Sequence, residues 1–160
     1  MFENLVRYIK ENYSSARKIV EVGVGHRIDI AMMVKLHLPN AEVVVTDKDE
    51  KWVRGRKTPK VRTVADDVRF PVVAVYEGAG LIYSLYPPLE LVPAMIELAG
   101  NVSADLLIAP LKDEQEAFHR ANWDKVVREG RTVGWVLAAN HNTRFSREEY
   151  RRANTPNFPD

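Results

Sequence analysis

A strand-like segment that runs directly into two closely spaced glycines constrains the fold of this chain more than any other feature. The segment is rich in β-branched residues, and an uninterrupted apolar stretch and a second β-branched segment follow it. Strand, glycine turn, helix and strand in this order indicate two parallel strands joined by a right-handed crossover. In chain order these elements are a strand at Lys18–Val22, the turn with Gly23 and Gly25, a helix at Ile28–Leu38 and a strand at Glu42–Thr46.

The rest of the chain continues this alternation of strands and helices. The run Ala104–Ala109 is apolar throughout, which is typical of a strand buried on both faces of a sheet. Glu129-Gly130 between two apolar segments predicts a β-hairpin, and a longer helix ending at Gly130 is the alternative. The further predicted elements are helices at 2–14, at 89–99 (stopped by Gly100) and at 113–121, strands at 60–65 and 80–85, hairpin strands at 123–128 and 131–138, and a short helix starting at 146–149.

We predict one α/β domain, a single Rossmann-like domain over residues 1–153. It is expected to be a three-layer sandwich with a mostly parallel sheet of about six or seven strands and an antiparallel last strand. Residues 154–160, which include two prolines, are predicted to form a loose C-terminal tail. The 160 residues provide about one domain, and the 46% of hydrophobic residues are enough to fill a core.

Composition excludes several classes of protein. The chain has no cysteine, so disulfides, thiol catalysis and thiolate-ligated metal sites are excluded. Its four histidines lack metal-ligand spacing, and no serine-hydrolase elbow or phosphate-binding P-loop occurs, so we predict no metal site and neither of those chemistries. No apolar run reaches the roughly 18 residues of a membrane span, and the charged start is unlike a secretory signal. We therefore expect a cytoplasmic protein.

The glycine turn and Asp47, which ends the second predicted strand, together indicate a site for an adenosine cofactor. Glycines between a strand and a helix let backbone N–H groups approach a ligand at the positive end of the helix. An acidic residue at the tip of the next strand can accept hydrogen bonds from both ribose hydroxyls. The alternative is structural: the glycines form a tight turn and Asp47 caps the next segment.

Two cofactor classes use this arrangement. The dinucleotide fingerprint requires a third glycine where this chain has Ile28, so a nicotinamide-dependent oxidoreductase is the weaker alternative. The stretch resembles instead the first motif of class I S-adenosylmethionine-dependent methyltransferases, acid-x-Gly-x-Gly-x-Gly. Glu21, Gly23 and Gly25 match that motif, and Arg27 replaces its third glycine.

The methyltransferase resemblance implies an S-adenosylmethionine site and a role for each matching residue. In that family the glycine turn lies beside the methionine part of the cofactor, the acid after the second strand holds the ribose, and an acid after the third strand meets the adenine amine. The implied activity is methyl transfer to an unknown acceptor, and the alternative is a protein that binds an adenosyl cofactor or nucleotide without catalysis. The implied cofactor-binding residues are Glu21, Gly23, Gly25, Arg27, Asp47, and Asp66 or Asp67.

Two later segments, Ile82–Glu90 and Ala104–Leu111, resemble a small archaeal family of short, uncharacterised proteins with a methyltransferase-like Rossmann fold. That resemblance implies the fold and the cofactor but no established reaction. Amino-methylating enzymes often carry Asp or Asn before a Pro-Pro pair after the fourth strand, whereas this chain has Tyr86 there. Tyr86 is therefore a candidate substrate contact by stacking, or alternatively a packed ring in a rigid turn.

Charge is distributed unevenly although the net charge is only +1. Residues 48–62 hold seven basic and two acidic residues with Trp52 among them, whereas residues 77–116 hold seven acidic residues and one basic residue. A basic segment with an aromatic residue is a candidate surface for RNA or another phosphate-bearing ligand. The alternative is a solvated loop with Trp52 packed against the core.

Overall fold

The computed structural model describes residues 2–25, 27–56, 58–119, 122–139 and 147–157, with the backbone alone for 147–150. The strands are β1 (Lys18–Val22), β2 (Glu42–Asp47), β3 (Arg62–Ala65), β4 (Leu81–Leu85), β5 (Asp105–Ala109), β6 (Asp124–Arg128) and β7 (Arg131–Leu137). The α-helices are α1 (Glu3–Asn12), α2 (Asp29–His37), α3 (Glu50–Gly55), α4 (Val92–Val102) and α5 (Arg147–Asn154). Three 3-10 helices occupy Val73–Val75, Leu89–Leu91 and Lys112–Phe118.

Within these residues the seven strands form one sheet in the order β3-β2-β1-β4-β5-β7-β6. The first five strands pair in parallel, whereas β7 runs antiparallel to both β5 and β6. Glu129 and Gly130 join β6 to β7 with φ values of 52° and 70°, the left-handed conformation that a two-residue hairpin requires at both positions. The predicted Rossmann-like α/β fold is confirmed, and the hairpin replaces the alternative of a longer helix.

Helices cover both faces of the sheet because successive residues of each central strand point in opposite directions and are apolar on both sides. In β1, Ile19 belongs to the apolar layer under α1, α2 and α3, whereas Val20 and Val22 belong to the layer under α4. The result is the predicted three-layer arrangement. Among the described residues, no helix has the length and apolar character needed to cross a membrane.

The helix α3 was not predicted, because the segment after β2 has only six helical residues and shows no apolar repeat. Asp49 caps this helix by accepting a hydrogen bond from the Trp52 backbone N–H at 3.2 Å. Trp52 is only 9% exposed and packs in the layer beneath α3. The expectation that Trp52 offers a surface for stacking is therefore wrong, and the alternative of a packed ring is correct.

The helix predicted over 113–121 is present as a 3-10 helix at Lys112–Phe118. Residues 120 and 121 lie outside the described residues. The core contacts of this segment repeat every three residues, as a 3-10 helix requires. Gln115 accepts a hydrogen bond from the Trp135 indole N–H at 2.6 Å, and the Phe118 ring stacks on the same indole at 6.0 Å. Two contacts with one tryptophan from positions three apart favour the tighter helix.

Two helix ends also differ from the prediction. Gly100 does not stop the helix: α4 continues to Val102 and ends where Ser103 adopts φ 58°. Gly100 lies on the exposed side of α4, where a missing side chain costs no packing. The predicted last helix is described from Arg147, so its proposed capping residue Ser146 lies outside the described residues.

The first residues of the predicted tail contact the domain. The Trp123 indole N–H donates to the Asn154 carbonyl oxygen at 2.7 Å, and the Asn157 N–H donates to the Ala117 carbonyl oxygen at 3.0 Å. Residues 158–160 of that tail lie outside the described residues. The contacts hold residues 154–157 against the hairpin and the last 3-10 helix.

Candidate functional site

The carboxyl ends of β1, β2, β3 and β4 open onto a cavity of about 210 Å³. The strand order reverses between β1 and β4, which is where parallel α/β sheets bind their ligands. A second groove of about 470 Å³ borders α4 and the segment after α5, and it contains none of the predicted site residues. The cavity is lined by Val22, Gly23, Asp47, Lys48, Asp66, Asp67, Val68, Ser84, Tyr86, Pro87, Pro88, Leu91 and Met95.

The glycine turn lies at the cavity wall and is tied to β2. Gly23 and Gly25 have φ values of 67° and 60°, a conformation that strains any L side chain. The N–H groups of Gly23 and Val24 both donate to the Thr46 carbonyl oxygen, at 2.9 and 3.2 Å. The turn therefore keeps a fixed position against the end of β2, with open space where side chains would otherwise be.

Asp47 connects this turn to the loop that follows β2. One carboxylate oxygen accepts the Gly25 N–H at 2.9 Å, and the other accepts the Asp49 N–H at 2.8 Å. The residue is half-buried and lines the cavity. A carboxylate oxygen can accept more than one hydrogen bond, so the two loop contacts leave acceptor capacity on the cavity side. The structural and ligand-binding interpretations of Asp47 are thus compatible.

Asp66 and Asp67 both line the cavity but have different partners. Asp66 accepts hydrogen bonds from the Tyr76 hydroxyl at 2.6 Å and from the Val72 N–H at 3.0 Å. Asp67 accepts from the backbone and the guanidinium of Arg69 at 2.9 to 3.1 Å. The Arg69 side chain, followed by its backbone N–H, lowers the pKa of Asp67 to about 2. Asp67 therefore stays charged over the physiological range.

Tyr86 lies at the opening of the cavity in an unusual backbone conformation. Its φ is 52°, which is strained for a residue of this size, and two prolines follow it. The Tyr86 N–H donates to the Ala109 carbonyl oxygen at 2.8 Å, which fixes the turn to β5. The side chain is 41% exposed, and its ring lies 5.4 Å from the ring of Phe2. The ring is thus packed on one partner and still accessible.

The cavity-lining groups that were not predicted include Ser84, Leu91 and Met95. Ser84 is fully buried, and its hydroxyl donates to the Val22 carbonyl oxygen at 2.8 Å, which links the ends of β4 and β1. Leu91 and Met95 provide an apolar wall. Their spacing of four residues, which places both on one face of a helix entering at the cavity, is the signal that would have found them.

Glu21 lies outside the cavity, on the sheet face covered by α1, α2 and α3. It is 2% exposed, and its Oε1 has no hydrogen-bond partner among the residues that the structure describes. Burial raises the pKa of Glu21 to about 8. The side chain therefore holds a proton at neutral pH.

Arg27 is also absent from the residues that line the cavity. Its guanidinium pairs with Asp29 at 3.1 Å and lies 5.2 Å from the centre of the Phe2 ring. The Asp29 carboxylate raises the pKa of Arg27 further. His26, the other polar residue of this turn, lies outside the described residues. The cavity thus brings together Gly23, Asp47, Asp66, Asp67 and Tyr86. Its lining does not include Glu21, Gly25 or Arg27.

Comparison of the sequence with protein families gives one match that covers most of the chain. Residues 1–133 match UPF0146, an uncharacterised protein family. The chain belongs to the UPF0146 family of archaeal proteins. This family member is 44% identical over 105 residues to a UPF0146 protein of Archaeoglobus fulgidus, a match that covers 65% of this chain and 74% of that one. It is 31% identical over 139 residues to one of Methanothermobacter thermautotrophicus, covering 87% and 96%. The predicted resemblance to a small archaeal family is confirmed.

Solved structures similar to this UPF0146 protein include two methyltransferases. The S-adenosylmethionine-dependent methyltransferase SibL, in its apo form, matches with a TM-score of 0.54 and 14% identity over 84% of this chain and 53% of SibL. The sugar N-methyltransferase KedS8 of Streptoalloteichus matches with a TM-score of 0.53 and 17% identity over 81% of this chain and 56% of KedS8. At such identities the likeness shows the fold alone, and this chain spans about half the length of either enzyme.

Proposed function

We propose that this UPF0146 protein binds S-adenosylmethionine or its demethylated product in the cavity and acts as a methyltransferase. One observation carries the proposal: the Asp47 carboxylate both holds the glycine turn and faces the cavity at the switch point of the sheet. The likeness of the fold to SibL supports the choice of cofactor class. Ile28 in place of a third glycine makes a nicotinamide cofactor the weaker alternative.

The cavity residues fit the parts of such a ligand. Asp47 would accept hydrogen bonds from the two ribose hydroxyls. The space beside Gly23 would admit the methionine part, because no side chain fills it. Asp66 or Asp67 would accept from an exocyclic amine, because both line the cavity and a carboxylate oxygen that already accepts one hydrogen bond can accept another. Glu21 and Arg27 would act only indirectly, through the position of the turn between them.

The acceptor side is formed by Tyr86 and the two prolines after it. When bound, the cofactor supplies a methyl group on a sulfonium sulfur, and the protein's part is to align an acceptor with it. The Tyr86 ring offers a face on which a planar acceptor can stack. The absence of Asp or Asn before Pro87 removes the usual means of orienting an amine. This departure favours the second candidate, a binding protein without catalysis, over an amino-methylating enzyme.

The cofactor proposal is tested by titration calorimetry with S-adenosylmethionine, S-adenosylhomocysteine and NAD. We expect binding of the two adenosyl compounds and none of NAD. Asp47→Asn should weaken the binding by roughly 10- to 100-fold, since it removes a charged acceptor from the ribose position. Asp113→Asn, a matched change at an exposed position outside the cavity, should leave it unchanged. Binding of NAD without the adenosyl compounds would reverse the proposal.

A further inference from the structure

One edge of the molecule carries an excess of cations that the proposed cofactor site does not use. We call these residues the basic strip. Some of them lie on β3, the outermost strand at this side of the sheet, or next to its two ends. The others are exposed cations of α3 and of the residues that flank it. The basic strip consists of Lys48, Lys51, Arg54, Arg56, Lys60, Arg62 and Arg69.

The cations of the basic strip, apart from Arg69 with its two guanidinium hydrogen bonds to Asp67, are weakly engaged within the protein. Three arginines form exposed surface ion pairs, with N···O distances of 2.6 Å for Arg54, 2.9 Å for Arg69 and 3.6 Å for Arg62. Such pairs contribute little to stability and can be replaced by a phosphate. The lysines of the strip make no ion pair with any residue in the described part of the chain. The strip is therefore available to an anionic polymer.

A large aromatic side chain stands beside the basic strip. Phe70 is 80% exposed and is held there by an ordered turn. Its N–H donates to the Asp67 carbonyl oxygen at 2.9 Å, and the Val72 N–H donates to the Asp66 carboxylate at 3.0 Å. The turn is thus built on the two acids that line the cavity. An exposed phenylalanine on an ordered turn, next to Arg69 in the chain, offers a ring on which a nucleobase can stack.

The basic strip and the cavity are continuous. Lys48 belongs to both, because it follows β2 in the strip and lines the cavity. Asp67 lines the cavity and pairs with Arg69 of the strip. A polymer lying along the strip would therefore reach the cavity opening. Cations next to an exposed aromatic ring match a partner that repeats a phosphate and a planar base, which favours a nucleic acid single strand.

We propose that the basic strip and Phe70 bind single-stranded nucleic acid, with phosphates on the cations and a base on the Phe70 ring. Nucleic acid is then the acceptor class of the proposed methyltransferase. Only this last statement rests on the proposed function, since binding along the strip does not require a cofactor. RNA and DNA single strands both present phosphates and bases to the strip, and the experiment compares the two.

Fluorescence anisotropy with a labelled RNA single strand of about 12 nucleotides tests the proposal. The double variant Lys51→Ala/Lys60→Ala should weaken binding about 10-fold and lower the slope of log affinity against log salt by about 1.4, because each phosphate contact on a single strand contributes about 0.7. The matched control is Lys10→Ala/Lys112→Ala, which removes the same charge from exposed positions outside the strip. It should change the affinity less than twofold.

Phe70→Ala tests the stacking contact separately. It should weaken RNA binding by about 5- to 100-fold with little change in the salt slope, because stacking releases no counterions. Leu36→Ala removes another exposed apolar side chain, 68% exposed on α2, and should leave the affinity unchanged. A DNA single strand of the same sequence shows whether the sugar matters; equal or weaker binding of DNA is compatible with the proposal.

Three results would overturn the proposal: no binding of either single strand by the wild-type protein, equal effects of the two lysine double variants, or competition by polyglutamate as strong as that by RNA. Titration of the same variants with S-adenosylhomocysteine keeps the two proposals apart. The strip variants should retain full cofactor affinity. If the wild-type protein binds S-adenosylhomocysteine but neither single strand, the strip proposal alone is refuted. If it binds RNA but no adenosyl cofactor, the proposed function alone is refuted.

Discussion

Glu21 and Tyr83 are neighbours on adjacent strands, directly opposite in the register of β1 and β4. Both are buried, and among the described residues neither Glu21 Oε1 nor the Tyr83 hydroxyl has a hydrogen-bond partner. A buried carboxyl without a compensating cation favours its neutral form. The Glu21 carboxyl at the centre of the sheet therefore keeps its proton, because burial disfavours the charged form.

This proton makes stability depend on pH. The pKa of Glu21 is about 8 in the folded protein against 4.5 for an ordinary glutamate, mainly because of burial. Since the folded-state pKa is the higher one, the stabilising contribution is complete below about pH 4.5 and is lost as pH rises to about 8. Urea unfolding should show a loss on the order of a few kcal/mol over this range.

Glu21→Gln should abolish that part of the pH dependence, because glutamine keeps the shape and cannot ionise. The variant is expected to be more stable than the wild-type protein at pH 9 and similar to it at pH 4. Glu97→Gln, an exposed change on α4, is the matched control and should follow the wild-type curve. If the free energies of unfolding of Glu21→Gln and the wild-type protein change in parallel with pH, Glu21 is not the group that causes the pH dependence.

The hydroxyls of two buried tyrosines should differ in their contribution to stability. The Tyr76 hydroxyl donates to Asp66 at 2.6 Å, whereas the Tyr83 hydroxyl has no partner among the described residues. Tyr76→Phe should lower the free energy of unfolding by about 1–3 kcal/mol, and Tyr83→Phe should leave it unchanged or raise it. Thermal and urea unfolding at pH 6 measure both. Equal losses for the two variants would show that Tyr83 has a partner after all.

Asp47→Ala should reduce both stability and cofactor affinity. The change leaves the N–H groups of Gly25 and Asp49 without their acceptor, which should cost about 1–2 kcal/mol because water replaces it in part. Asp49→Ala removes the cap of α3 and should cost about 1 kcal/mol without affecting affinity. The paired measurement is the melting temperature without ligand and calorimetry with S-adenosylhomocysteine. Lower stability with unchanged affinity would leave Asp47 with a structural role only.

Two glycine-to-alanine substitutions should change the free energy of unfolding in opposite directions. An added Cβ meets no atom within 4 Å at either Gly25 or Gly100, so space does not distinguish them. Gly25 has φ 60°, and Gly25→Ala should destabilise the protein by about 1 kcal/mol. Gly100 is helical and exposed, and Gly100→Ala should stabilise it by about 0.5–1 kcal/mol. Urea unfolding of both variants decides, and destabilisation at Gly100 would mean that α4 ends earlier.

Much of the fold could be predicted because β1 and β5 are apolar on both faces and turn residues bound every strand. The helix α3 could not be predicted, because its six residues contain no full apolar repeat. Its packing depends on the buried Trp52. The Gln115 and Phe118 contacts that favour a 3-10 helix involve Trp135, which is distant in sequence. Local patterns carry no information on such contacts.

The candidate site was predictable where it depends on strand ends. Gly23 and Asp47 follow two parallel strands, so they had to meet at one edge of the sheet. The position of Glu21 could also have been deduced, because Val20 and Val22 alternate with it and share the opposite face. Arg27 could not be placed, since its pairing with Asp29 and Phe2 depends on where α1 packs.

The backbone conformation of Tyr86 determines how far the entrance of the cavity can change shape when a ligand binds. Its left-handed conformation is fixed by the Ala109 carbonyl oxygen on one side and by two prolines on the other. Such a turn has few other conformations to adopt, so the entrance is pre-organised and cannot mould itself around a poorly shaped molecule. Molecules that do not fit therefore dissociate quickly, and discrimination among them should be found in residence times rather than in association rates.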